Sequence, residues 1–206
     1  TEGIEKITQL DIESAKDADY TVKLLAVCER VGKDSIAARV HPTLIPMSHP
    51  LASVRGAFNA VFVESEASGE LMFYGAGAGG IETASAVLGD VVMAAKRHLG
   101  GGSGMNESSH AKLEIMPIDD IVTSYQISLE VKDQSGVLAV IASMFADLDI
   151  SVETLEQSTI DSDSDNVMLT IITHETSERS LQKLIEKLNS QDQVVDIRGQ
   201  IRVEGV

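Results

Sequence analysis

The chain has 206 residues, a formal net charge of −16 and 43% hydrophobic residues. This length suits one or two domains, and the apolar fraction is enough for real cores. The acidic excess argues against nucleic acid or an anionic membrane as a partner, and a solvated acidic surface accounts for it. No apolar run approaches the roughly 18 residues of a membrane span, and no signal-peptide pattern opens the sequence. We therefore expect a soluble, cytoplasmic protein.

The single cysteine and two of the histidines carry little predicted chemistry. Cys28 lies in an apolar, strand-like run, which predicts a buried and inert thiol. His41 and His49 stand among prolines at positions 42, 46 and 50, which predict an extended, irregular stretch. With no cysteine or further histidine nearby, structural turns are favoured over metal ligands, and no metal site is predicted.

In chain order, the first part predicts a short helix, two strands, a hairpin and a longer helix. These elements are expected at 8–20, 21–30, 37–41, 57–64 with 70–74, and after residue 80. The apolar face of the longer helix is formed by Ala84, Val87, Leu88, Val91, Val92 and Ala95, at helical spacing.

A glycine-rich loop over 75–80, Gly-Ala-Gly-Ala-Gly-Gly, joins the hairpin to that helix. Thr83 is the predicted N-cap. Such glycines permit close approach of a ligand, and a helix N-terminus attracts an anion, so a phosphate or a cofactor edge is one interpretation. The GxGxxG spacing is a weak Rossmann signal because no second parallel strand follows. A plain tight turn is the alternative.

Residues 99–111 have the composition of a flexible linker, and a second module follows it. Its periodicities predict strands near 125–131, 150–157, 166–173 and 195–203, and Gly199 interrupts the last of them. They also predict helices from 137 and over 178–190, and residues 161–165 are predicted to form an acidic loop. The order βαββαβ predicts a ferredoxin-like arrangement of four antiparallel strands under two helices.

This module resembles an ACT domain, a small-molecule sensor of amino-acid enzymes, through Asp133-x-x-Gly136-Val137-Leu138 and Asp149-Ile150. The resemblance implies an effector pocket at these residues, usually between two copies. Asp133 and Asp149 are expected to receive an α-amino group, and amides near Gly136 and Val137 a carboxylate. The alternative is a dimerisation or packing module that binds nothing.

The first part resembles the C-terminal half of a homoserine dehydrogenase. The resemblance rests on the motifs at 2–4 (Glu-Gly-Ile), 39–46 (Arg-Val-His-Pro-Thr-Leu-Ile-Pro), 49–52 (His-Pro-Leu-Ala), 58–63 (Phe-Asn-Ala-Val-Phe-Val) and 74–79 (Tyr-Gly-Ala-Gly-Ala-Gly). It implies that Gly77, Ala78 and Gly79, with Thr83, line the nicotinamide side of a bound NADP or NAD. Glu82 stands where many relatives have proline, which argues against pyrophosphate binding at this loop.

Together the resemblances imply an α+β protein: a mixed-sheet catalytic and dimerisation part over 1–98, a linker over 99–111 and an ACT domain over 112–206. The implied parent enzyme interconverts L-homoserine and L-aspartate 4-semialdehyde with NAD(P) and forms a homodimer or homotetramer. The implied effector is L-threonine or another amino acid. The nucleotide-binding domain and the catalytic residues are expected upstream of Thr1, so this chain alone is expected to be inactive. A stand-alone amino-acid-binding regulator, or an oligomerisation unit, is the non-catalytic alternative.

Overall fold

The computed structural model describes residues 1–101, 112–160 and 164–205. Most of the predicted linker and residues 161–163 of the predicted acidic loop lie outside the described residues. The elements are α1 (Gln9–Asp17), β1 (Tyr20–Val31), β2 (Ser35–Pro46), β3 (Phe58–Ser65), β4 (Gly69–Ala76), α2 (Gly80–Leu99), β5 (Glu114–Ile115), β6 (Val122–Lys132), α3 (Val137–Asp147), β7 (Val152–Thr159), β8 (Asn166–Thr173), β9 (Thr176–Ser177), α4 (Glu178–Asn189) and β10 (Val194–Val203). None of the helices in these ranges combines the length and the apolarity needed to cross a bilayer.

The chain folds into two compact units that do not follow its linear order. The main unit comprises Thr1–Pro46 together with Leu113–Val206, and the hairpin unit comprises Met47–Lys112. The first 46 residues join the later module because β2 pairs with β10 in one sheet. Whether 1–98 and 112–206 act as separate domains stays a prediction.

The main unit contains the predicted βαββαβ module, β6-α3-β7-β8-α4-β10. Its strands are antiparallel and lie in the order β10-β6-β8-β7. A register shift between Ile197 and Gly199 interrupts β10, as the sequence predicts. Strands β2 and β1 extend this sheet beyond β10, with β2 parallel to β10 and antiparallel to β1. The α+β class is thereby confirmed.

Two apolar cores lie in the main unit. The larger core joins α3 and α4 to β6 and β8, and its fully buried members include Ile127, Leu129, Leu184 and Leu188. The smaller core contains Ala15 of α1 with Leu44, Ile172, Ile201 and Val203 of the sheet. Neighbouring strand residues such as Ile171 and Ile172 belong to different cores, because successive side chains point to opposite faces of a sheet.

The hairpin unit buries far less. Strands β3 and β4 form the predicted hairpin, pairing from Phe58 with Ala76 to Ser65 with Gly69, and α2 follows. Among its described residues, Ala52 is the one buried apolar side chain, and α2 buries none. The rings of Phe58 and Tyr74 stack 4.9 Å apart, an arrangement that stabilises the hairpin locally.

Three local predictions are wrong. Cys28 is exposed, because β1 is an edge strand and only its first residues reach the smaller core. Strand β2 runs regularly through Pro42 to Pro46; β10 pairs with it only at Thr43 and Leu44, so the N–H that proline lacks is not needed there. The first helix ends at Asp17 rather than extending to 20, and Asp19 adopts a left-handed φ of 60° before β1 begins.

Candidate functional site

The glycine loop between β4 and α2 is shaped by close backbone approach. The amide of Gly77 donates to the carbonyl of Ala57 (2.9 Å), which ties the loop to the start of the hairpin. A Cβ at Gly77 would overlap the carboxamide of Asn59, while a Cβ at Gly75 would meet nothing within 4 Å. A Cβ at 77 would therefore force the Asn59 side chain to move, whereas a Cβ at 75 would force no movement.

Helix α2 begins earlier than the sequence predicts. Its N-cap is Gly79, with φ of 143°, and the amide of Thr83 donates to the Gly79 carbonyl (3.1 Å) inside the first turn. The prediction of Thr83 as N-cap is therefore wrong, because left-handed geometry at a glycine starts the helix four residues before it. Gly77, Ala78 and Gly79 lie together in the loop, and Thr83 lies one turn into the helix.

The carboxylate of Glu82 folds back over Gly79, where an added Cβ would overlap it. An acid in the first turn satisfies the positive end of the helix and leaves that end poorly suited to a phosphate. The geometry fits an uncharged ligand edge against the glycines better than a pyrophosphate, as expected from the presence of an acid at 82.

The residues implied for effector binding lie at two separate places. Asp133 and Gly136 stand in the loop before α3; the Asp133 amide donates to the Asp165 carbonyl (2.9 Å). Gly136 caps α3 with a left-handed φ of 92°. Val137 is buried in the larger core and Leu138 is exposed. The amide of Val137 reaches the Gln134 carbonyl at 3.3 Å, which partly satisfies one of the expected anion-binding donors.

Asp149 and Ile150 lie at the other end of α3. Asp149 has a left-handed φ of 57°, and Ile150 is buried against the larger core. The eleven residues of α3 separate the two places by roughly 16 Å, at about 1.5 Å per residue. One copy of the chain therefore does not bring Asp133 and Asp149 to the same small ligand.

Sequence reasoning missed a group of polar and charged side chains in the main unit, here called the polar seam, in which two buried arginines contact carboxylates of differing exposure. Its centre is Arg202 of β10, whose guanidinium contacts Glu178 at 2.6 Å and Glu2 at 2.7 Å and lies 5.7 Å from the ring centre of Tyr125. The hydroxyl of Tyr125 donates to the same Glu178 oxygen (2.7 Å). The polar seam comprises Glu2, Glu29, Arg39, His41, Tyr125, Glu178, Arg202 and Glu204.

The second half of the polar seam is built around Arg39 of β2. Its guanidinium contacts Glu29 of β1 and Glu204, each at 2.6 Å. His41 lies beside them with Nε2 4.0 Å from Glu204. Its Nδ1 lies 3.1 Å from the Pro42 carbonyl and 2.9 Å from the Thr43 hydroxyl, and the tautomer of the ring decides the direction of these hydrogen bonds. Among the described residues, Nε2 of His41 is the one buried side-chain nitrogen or oxygen without a hydrogen-bond partner.

Burial sets the ionisation of these groups. It lowers the pKa of His41 to about 4, and the positive charges of Arg202 and Arg39 act in the same direction. Burial disfavours the charged form of Glu178. Hydrogen bonds from Gln182, Tyr125 and Arg202 outweigh this effect and hold the pKa of Glu178 below its ordinary value. Burial and the bond to Glu178 together raise the pKa of Tyr125. At neutral pH Glu178, Arg39 and Arg202 are thus charged, whereas Tyr125 and His41 are neutral.

An open groove of about 690 Å³ lies within the main unit between the N-terminal segment, α4 and β10, and the Arg202 cluster lines part of it. None of the predicted cofactor or effector residues lines this groove. The cluster's polar atoms already contact one another, so this part of the groove offers a ligand few free partners. The sequence did offer a signal for this cluster: Arg39 and Arg202 each lie within an apolar strand. A buried arginine is rarely found without a paired acid, so the pattern predicts nearby carboxylates.

Comparison with known proteins accounts for both halves of the chain. The homoserine dehydrogenase family profile matches residues 1–92, and the ACT domain profile matches residues 125–193. The homoserine dehydrogenase of Corynebacterium glutamicum is 48% identical over 98% of this chain, and that of Mycobacterium tuberculosis 44% identical over 99%. The chain belongs to the homoserine dehydrogenase family. It spans about half the length of these curated relatives, 46% and 48%.

Solved homoserine dehydrogenases have the same fold over the chain. The Thiobacillus denitrificans structure superposes with a TM-score of 0.85 at 34% identity, covering 98% of this chain and 46% of its own. The Staphylococcus aureus structure at pH 7.0 gives 0.63 at 26% identity, covering 99% and 47%. Gly77, Ala78, Gly79 and Thr83 fall within the homoserine dehydrogenase match, and the six residues from Asp133 to Ile150 fall within the ACT match.

The polar seam connects the two matched segments of this homoserine dehydrogenase family member. Glu2, Arg39 and His41 belong to the homoserine dehydrogenase segment, and Tyr125 and Glu178 to the ACT segment. Arg202 lies on the strand that completes the βαββαβ fold, Glu204 lies just after it, and both follow the ACT match. The buried charges therefore lie where the two segments of the chain meet.

Proposed function

We propose that this chain works as the C-terminal part of an NAD(P)-dependent enzyme that interconverts L-homoserine and L-aspartate 4-semialdehyde. The observation that carries the proposal is 48% identity to a homoserine dehydrogenase over 98% of the chain. The bound nicotinamide would supply the hydride acceptor, and the chain would supply the loop against which its ring lies. On its own the chain is expected to show no turnover, because the residues that act on substrate are implied to lie upstream of Thr1.

The loop geometry supports a role for Gly77, Ala78 and Gly79 on the nicotinamide side. A Cβ at 77 or 79 would overlap Asn59 or Glu82, so glycine there lets the loop pack against these side chains. At 75 and 80 a Cβ would meet nothing within 4 Å, so a flat ring has room to approach that part of the loop. Glu82 disfavours a phosphate at the same place. The choice between NADP and NAD is made elsewhere in the proposed enzyme.

A chimera tests this proposal directly. The chain replaces the matching part of the C. glutamicum relative, and oxidation of L-homoserine is followed by the appearance of reduced nicotinamide. We expect activity with the chain in place, and a loss of about ten-fold to a hundred-fold in kcat/KM for Gly79→Ala, since a side chain is strained at φ of 143° and its Cβ would displace the Glu82 carboxylate.

Gly75→Ala is the matched control in the same loop, because its Cβ meets nothing within 4 Å and its φ is not left-handed. A chimera that folds and binds NAD(P) but does not oxidise L-homoserine would contradict the proposed reaction. Equal effects of the two alanine substitutions would contradict the assigned loop.

We also propose that the ACT segment senses an amino acid, with L-threonine as the first candidate. Asp133 and Asp149 flank opposite ends of α3, whose eleven residues span roughly 16 Å. A pocket that uses both therefore takes the two ends of α3 from two copies, and the proposed effector binds between them in a homodimer.

Thermal unfolding with millimolar L-threonine, and with L-isoleucine, L-methionine and L-serine as controls, tests the sensor. A ligand at a hundred-fold excess over Kd stabilises the native state by about 2.7 kcal/mol. We expect a shift that is lost in Asp133→Ala and in Asp149→Ala and that weakens on dilution of the dimer. No shift with any amino acid would favour the alternative of a packing module.

A further inference from the structure

The polar seam closes the contact between the homoserine dehydrogenase segment and the ACT segment within the main unit. Backbone pairing there is short: β2 and β10 pair only at Thr43 with Arg202 and at Leu44 with Val203. Two arginines, one on each of these strands, bridge the contact between the two segments. Arg202 of β10 reaches Glu2, and Arg39 of β2 reaches Glu204. Side-chain ion pairs thus reinforce a contact that has few backbone hydrogen bonds.

Each arginine is buried, at 6% exposure for Arg202 and 5% for Arg39, and each binds two carboxylates. A buried guanidinium that loses a carboxylate partner is strongly unfavourable unless water enters. Because Glu2 and Glu29 are about half exposed, water can replace either carboxylate, and the contact can pass from a closed, paired state to an opened, hydrated one. Packed interfaces of this kind are bistable elements on which conformational switching is built.

The N-terminal segment has few other attachments near this point. The amide of Glu2 donates to the Val40 carbonyl (2.8 Å), and the Glu2 carboxylate contacts Arg202. Arg202 in turn holds Glu178, the first residue of α4, and thus the ACT helix that packs on the larger core. A shift of α4 or β10 would therefore change the contact that holds Glu2.

We propose that the polar seam is a conformational lock, in which Arg202 couples the state of the ACT segment to the N-terminal segment and β2. The trigger rests on the proposed amino-acid sensing, but the lock itself does not. In the locked state Arg202 binds Glu2 and Glu178 together. In the released state the Glu2 contact opens, and the segment over 1–7 is freed from β2.

Hydrogen exchange measured by mass spectrometry on the whole chain tests the lock without a ligand. Glu2→Gln removes the charge at a half-exposed position and leaves the fold intact, so it is preferred to Arg202→Met, which serves as the second variant. We expect exchange over 39–45 to be faster by about ten-fold in Glu2→Gln. Arg179→Met is the matched control. Arg179 is also on α4, but its ion pair with Asp120 is exposed, so this change should leave the exchange rate over 39–45 unchanged.

Rates within about two-fold of wild type in Glu2→Gln would overturn the lock. Saturating L-threonine should change the amide exchange rates of wild type both near α3 and over 39–45. In Glu2→Gln it should change the rates near α3 only. A wild-type response confined to α3 would overturn the coupling while leaving the effector in place. If no amino acid alters exchange near α3, the sensing proposal fails, and the ligand-free comparison alone decides the lock.

Discussion

Helices α2 and α4 show how differently two equally clear apolar faces are used. In α4, Leu181, Leu184 and Leu188 are at most 1% exposed and fill the larger core. In α2, Val87 and Leu88 at the same helical spacing are more than half exposed, and the helix buries no residue. An amphipathic pattern therefore predicts that a face must be covered, but it does not say that the same chain covers it. The main unit covers the apolar face of α4, whereas the apolar face of α2 in the hairpin unit stays exposed.

The largest expected effect is on the core that α4 fills. Leu184→Ala removes a fully buried side chain and should lower the free energy of unfolding by roughly 2–5 kcal/mol in urea titrations followed by circular dichroism. The matched change in the hairpin unit, Leu88→Ala, should lie within about 0.5 kcal/mol of wild type. A comparable loss at Leu88 would mean that its face is covered in solution, and the contrast between the units would not hold.

A pH-dependent contribution to stability comes from His41, again in the main unit. Its pKa falls from 6.5 to about 4 on folding, so as pH drops from 6.5 towards 4 the unfolded state takes up the proton first and stability falls. The loss over this interval is about 3 kcal/mol for full transfer of the proton. This loss should be absent in His41→Gln, so the difference in the free energy of unfolding between wild type and this variant should change with pH in urea titrations at several pH values.

His174→Gln, at an exposed position in the same unit, controls for removing a histidine. If both variants keep the wild-type slope between pH 4 and 6.5, His41 is not buried in its neutral form.

Two glycines should respond to alanine with opposite signs. Gly136 caps α3 with φ of 92° and open space around it, so Gly136→Ala should cost about 1–2 kcal/mol through backbone strain alone. Gly89 lies inside α2 with nothing within 4 Å of a Cβ, so Gly89→Ala should stabilise that helix by about 0.5–1 kcal/mol. Urea titration for the first and amide exchange of α2 for the second measure these effects. A cost at Gly89 would reveal a close neighbour of the helix.

The smallest effect concerns Cys28, at the open edge of the main unit. Its thiol is exposed on β1, so an aromatic disulfide reagent should titrate one thiol per chain without denaturant and without loss of fold. A thiol that reacts only in urea would restore the buried interpretation and would mean that the edge strand is covered.

Several features followed from local pattern alone. The βαββαβ order, the hairpin between 58 and 76, and the helix α4 each depend on short-range periodicity and turn chemistry, which the sequence carries directly. The glycine loop was also located correctly, but Thr83 was misplaced. The start of α2 depends on the φ of Gly79, and no pattern of side chains fixes that angle. The proposed roles of the loop and effector residues stay predictions.

The sequence by itself determined the class of fold, the run of elements and the family. The fold class and the elements follow from patterns a few residues long, and the family follows from the order of longer motifs along the chain. Only the tertiary structure decided that β2 joins β10, that Arg39 and Arg202 are buried among four carboxylates, and that Asp133 and Asp149 lie at opposite ends of α3. These depend on contacts between residues far apart in the chain; Arg39 and Glu204 are 165 positions apart. Burial of a charge is decided by the partners that the fold brings to it, and no local pattern contains them.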